Sequence, residues 1–135
     1  MPKHIYVNLH VKDLERSIAF FTKLGYAFNP QFTDEKAACL IISDTIFVML
    51  LVEPFFESFT KKPVCDTSNR IEAIMGLSTE SREAVDEIVE KAIAAGGISS
   101  NPPYEHEFMY GRGFTDLDGH QWEYMFMEAA AVNNN

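Results

Sequence analysis

The chain has 135 residues, enough for one ordinary domain and too few for two independent ones. Apolar residues make up 47% and aromatic residues 13%, which supports a packed core and excludes a disordered chain. The formal charge of −9 repels phosphate backbones and anionic lipid, so neither nucleic acid nor a membrane is an expected partner. The longest apolar run, Ile46 to Val52, is too short to span a bilayer. The opening MPKHIYVN lacks the apolar stretch of a secretory signal, which points to the cytoplasm. Cys39 and Cys65 form no metal-spaced pair, and their expected state is reduced.

The charge is lopsided. Residues 1–70 are neutral, whereas residues 71–135 hold twelve acidic side chains against Arg82, Lys91 and Arg112. Many of the acids (Glu80, Glu83, Asp86, Glu87, Glu90) fall on one predicted helix, where a solvated face is the plain reading. A field favouring cationic ligands is the functional one.

In chain order, residues 4–11 alternate, with Ile5, Val7, Leu9 and Val11 on one face and Tyr6, Asn8 and His10 on the other, the period of a half-buried strand. Asp13 offers an N-cap to a helix whose stripe is Leu14, Ile18, Phe21 and Leu24, and Gly25 offers its stop. Strands are predicted near 26–33, 36–43 and 46–53, the last ended by Pro54. A connector of residues 54–69 follows, rich in polar and aromatic residues. The pattern then repeats: a strand over 71–78, and a helix capped by Ser78 or Thr79 with the stripe Val85, Ile88, Val89 and Ala92. Gly96-Gly97 ends that helix, and strands near 98–101, 107–115 and 120–127 complete the second β-α-β-β-β unit. The reading is an α+β fold of two βαβββ modules, residues 4–53 and 70–128. Helices lie outside, and the curved mixed sheet forms a cup. The tail 129–135 has no core pattern.

The last hairpin turns at Asp116-Leu117-Asp118-Gly119. Pairing Thr115 with His120 would set Arg112 across from Glu123, Tyr110 across from Met125 and Phe108 across from Met127. Arg112 would then neutralise Glu123. His10 is a candidate general base, since imidazole titrates near neutrality, and a hydrogen-bonded cavity histidine is its alternative. Phe55, Phe56 and Phe59 of the connector are candidates for a lid or an interface. Tyr6, Tyr110 and these rings offer stacking surfaces for a flat ligand. Gly111-Arg112-Gly113 sits within a strand pattern and is no phosphate loop.

The motif Val11-x-Asp13-Leu14-x-x-Ser17-x-x-Phe20-Phe21 and the later Asp116-x-Asp118-Gly119-His120-x-x-Glu123 resemble the vicinal oxygen chelate superfamily. That group includes glyoxalases, bleomycin-resistance proteins and extradiol dioxygenases. The middle of the chain further resembles a bacterial glyoxalase-related subgroup. The resemblance implies paired βαβββ modules, a homodimer and often a divalent metal held in the cup. Its ligand positions fall here on Tyr6, Met49, Glu72 and Glu123. A protonated phenol and a thioether are poor ligands for Mg²⁺, Mn²⁺ or Zn²⁺, so no resident metal is expected, with Glu72 and Glu123 the residues for one if it binds.

Two functions follow. One is a metal-free protein binding a small aromatic or cationic molecule through Tyr6, Asn8, Met49, Phe56, Tyr110 and Arg112. The other is a metal-dependent lyase, isomerase or dioxygenase with Glu123 as ligand or base, joined by His10 or Glu72.

Overall fold

The computed structural model describes residues 1–128, and the expected frayed tail lies outside them. Two compact units divide after Cys65. Among the described residues, no helix is long and apolar enough to cross a membrane.

In the first unit, β1 (Ile5–Val11) pairs in parallel with β4 (Ile46–Val52), which is followed across the sheet by β3 (Ala37–Ile41) and β2 (Ala27–Asn29). Helix α1 (Leu14–Lys23) begins where the Asp13 carboxylate accepts from the Arg16 amide at 3.1 Å. It ends at Gly25, whose φ of +105° suits a residue without Cβ. The strand period decides the faces. Val11 and Leu9 join Leu50, Val48, Leu40 and Ala38 beneath Phe20 and Phe21 of α1, all buried. Each such ring contributes about 1.5–3 kcal/mol on burial.

Two local expectations are corrected in this unit. The predicted strand at 26–33 is short, because Pro30–Phe32 turns as a 3-10 helix capped by the Asn29 side chain. Pro54 does not simply end β4; it sits at the start of a new helix, α2 (Glu53–Glu57). Proline fits there because its fixed φ is helical and its missing N–H had no partner to lose.

In the second unit, β5 (Ile74–Ser78) pairs in parallel with β9 (Gln121–Met127). Next comes β8 (Met109–Thr115), whose far side takes both β6 (Ile98–Ser99) and β7 (Tyr104–His106). Helix α3 (Arg82–Ala94) buries Val85, Val89 and Ala92. Its cap is Ser81 rather than Ser78 or Thr79, because β5 runs through Ser78 and the Thr79 amide still bonds Met125. Phe114 packs in parallel planes with Trp122 and Tyr124, centroids 6.4 and 5.9 Å apart.

The β8–β9 register differs from the expected one by a single residue. Thr115 pairs with Gln121, Gly113 with Glu123, Arg112 with Tyr124, Tyr110 with Phe126 and Met109 with Met127. The cause is the turn. Buried Asp116 accepts from the amides of Asp118 and His120 at 2.9 and 3.0 Å, and from Trp122 Nε1 at 2.9 Å. This sets His120 opposite Asp116, whose own amide donates to the His120 carbonyl at 3.0 Å, so that Thr115 meets Gln121. Gly119, at φ +88°, closes against the Thr67 carbonyl, where a Cβ would collide. Because side chains alternate, one residue of slip exchanges the two faces.

Candidate functional site

The helix-free face of the first sheet carries the polar row of β1. Tyr6, Asn8 and His10 stand beside Phe47, Met49 and Leu51 of β4. The Tyr6 ring is 56% exposed and stacks on Phe47, centroids 5.0 Å apart with 15° between planes. At the other end of the row His10 is buried. Its Nδ1 lies 3.5 Å from Glu53 Oε2, and the Phe56 ring meets it edge-on at 5.5 Å. Sequence reasoning missed Glu53. Its place beside His10 depends on the parallel pairing of β1 with β4, which sets His10 against Leu51 and carries residue 53 just past it, and no local pattern announces that pairing.

Helix α2 roofs this face. It brings Phe56, and the turn after it brings Phe59 and Thr60, to a cavity of about 430 Å³ whose floor is Asn8 and Leu51. Phe59 is supported by Phe55, edge to face at 4.9 Å. The return of the connector is tied by the Val64 amide, which donates to Glu57 Oε2 at 2.9 Å. The Asn8 amide and Thr60 hydroxyl are the polar groups of an otherwise apolar lining. That volume and balance are those of a small-molecule pocket.

The second sheet separates residues that the sequence reading joined. Tyr110 and Arg112 face α3. The Tyr110 hydroxyl donates to Asp86 Oδ1 at 2.5 Å, and Arg112 reaches Asp86 at 3.1 Å and Glu90 at 2.7 Å. The Tyr110 hydroxyl is the largest influence holding the Asp86 carboxyl below its ordinary range, and Arg112 adds to it against the cost of burial. Arg112 therefore does not neutralise Glu123, and neither it nor Tyr110 presents its polar end to the helix-free face. Glu123 stands on that face, where its Oε1 accepts from Gln121 Nε2 at 2.7 Å.

The ligand positions implied by the resemblance fail as a metal set. In the first unit Tyr6 pairs with Phe47, whereas Met49 stands opposite Asn8. In the second, Glu72 precedes β5 rather than lying in it, and β5 meets Glu123 at Gly76. Glu72 instead lies 3.5 Å from Nδ1 of buried His120, a histidine that the sequence reading left to the turn motif. A phenol, a thioether and two separated carboxylates do not fit a shared divalent ion.

Comparison with known proteins agrees with this architecture. Residues 3–43 match the family model described as bleomycin resistance protein-like N-terminal. A hypothetical protein from S. aureus is 31% identical with a TM-score of 0.78, over 93% of this chain and 95% of that one. A glyoxalase/bleomycin resistance protein/dioxygenase family enzyme from Burkholderia phytofirmans is 20% identical, with a TM-score of 0.74 over 90% and 96% of the two chains. A glyoxalase-related enzyme from Fulvimarina pelagi is 19% identical, with a TM-score of 0.76 over 93% and 88%. No curated protein matches significantly. With two βαβββ units and these relatives, the chain belongs to the vicinal oxygen chelate superfamily, the glyoxalase/bleomycin resistance/dioxygenase group.

Proposed function

We propose that this chain binds a small, flat and largely apolar molecule over the helix-free face of its first sheet, without the metal usual in its superfamily. The observation that carries the reading is the cavity of about 430 Å³ between Asn8 and Leu51 on the sheet and Phe56, Phe59 and Thr60 above. Apolar rings exclude water from the faces of such a ligand, while one amide and one hydroxyl fix its orientation. The exposed Tyr6 ring, stacked on half-buried Phe47 on the same face, offers a further aromatic surface. A lyase, isomerase or dioxygenase acting through Glu123 has less support, because Glu123 is bonded to Gln121 and lacks the expected companion at Glu72.

The test uses α-naphthol, a planar probe with one hydroxyl, titrated into protein carrying labelled methionine methyls. The Met49 methyl, on the same face, is expected to shift saturably in the wild type and far less in Phe56→Ala. An unmoved Met49 signal at millimolar probe overturns the reading.

A further inference from the structure

The hollow on the second sheet has its own chemistry. Gly111 and Gly113 of β8 leave the helix-free face bare on either side of Arg112, and their partners there are Met125 and Glu123. The resulting hollow, about 350 Å³, is walled by Pro102, Pro103, Tyr104, Met109, Met125 and Glu123. The Tyr104 ring is held by stacking on His106, with 9° between planes. Gly113 is what admits the carboxylate: a Cβ there would stand 2.6 Å from Glu123 Cδ and 2.7 Å from Ser100 Oγ.

Glu123 has no counter-charge within this unit among the described residues, because the nearest candidate in sequence, Arg112, is taken by Asp86 and Glu90 on the opposite face. The surroundings add to the field, since the whole formal charge of −9 lies in residues 71–135. A small metal ion demands several oxygen donors, and this lining supplies one carboxylate and the Asn101 amide among thioethers, prolines and a ring. An anion is repelled. Arg112 also borders the hollow, but its guanidinium is bonded to Asp86 and Glu90. A weakly hydrated organic cation suits the rest: the carboxylate as counter-charge, the tyrosine face and the polarisable sulfurs against its alkyl groups.

We infer that this hollow is a subsite for an alkylammonium group, with Glu123 as its counter-ion and Tyr104, Met109 and Met125 as its walls. The inference stands apart from the reading of the first sheet. Choline is the probe, and its neutral carbon isostere, with a tert-butyl group in place of trimethylammonium, is the control. Choline is expected to shift the Met109 and Met125 methyls saturably, with the isostere about tenfold weaker or more. Glu123→Gln is expected to weaken choline by about tenfold and leave the isostere unchanged. Gly113→Ala, which crowds the carboxylate, should weaken choline as well. Equal binding of choline and isostere to the wild-type protein overturns the inference without any variant, as does undiminished choline binding in a folded Glu123→Gln. Met49 reports separately on the first sheet, so the two readings fail independently.

Discussion

Arg112 and Glu123 occupy opposite faces of the hairpin formed by β8 and β9, Arg112 across from Tyr124 and Glu123 across from Gly113. The guanidinium thereby becomes a clamp between β8 and α3, and the carboxylate is left to the other side.

Arg112→Ala should therefore act on stability and not on the Glu123 face. The Arg112 side chain is mostly buried while Asp86 and Glu90 are half exposed or more, so the ion pairs are partly screened. A loss of about 1–2 kcal/mol is expected in urea unfolding, including packing of the arginine stem. Choline affinity should stay as in the wild type. A change in choline affinity with stability intact would return Arg112 to Glu123.

Acid sensitivity should report on Asp86. Its folded pKa is depressed, so its contribution is present above the unfolded value near 4 and is lost as the pH falls through the folded one. Thermal unfolding at about pH 7 and about pH 3 should show a smaller acid loss in Asp86→Asn than in the wild type. An identical loss in both would remove Asp86 from the account.

Asp116 holds the turn that sets the register. Its carboxylate serves two backbone amides and the Trp122 indole, and burial, opposed by His120 and these donors, pushes its carboxyl up. Asp116→Ala strands buried donors and should cost about 3 kcal/mol or more in denaturant unfolding. A loss below about 1 kcal/mol would mean that the turn closes without it.

Metal uptake should ignore Glu123. Its carboxylate lies with Gln121 and Gly113, whereas in the same unit Glu72 stands beside His120. Calorimetric titration with Zn²⁺ or Ni²⁺ is expected to give the same result for Glu123→Gln as for the wild type, with His120→Ala as the comparison variant. Loss of a bound ion in Glu123→Gln alone would reinstate the ligand role that the resemblance implies.

Much of the architecture was legible because period and punctuation are local. The alternation of residues 5–11, the Asp13 cap and the Gly25 and Gly96 stops each act through neighbours in the chain, and each stands where the pattern put it. What was not legible depended on a count of loop residues or on distant partners. Asp116-x-Asp118-Gly119 reads as a turn either way, and the bonds that join Asp116 to His120, backbone to backbone and side chain to amide, decide that Thr115 meets Gln121. That one residue moved Arg112 and Tyr110 away from Glu123. The connector shows no helix in its sequence because five helical residues are too few to display a stripe, yet α2 delivers Phe56 and sets Glu53 beside His10. Glu72 was misplaced because β5 begins two residues after it.

In each unit the opening strand finds its hydrogen-bonding neighbour in the closing one, Ile5 with Ile46 and Ile74 with Gln121. During synthesis, β1 and β5 must wait as unzipped ribbons until the far end of their own unit leaves the ribosome. A nascent chain stalled before β4 or β9 thus carries β1 or β5 without its partner, an open strand edge on which another chain can pair.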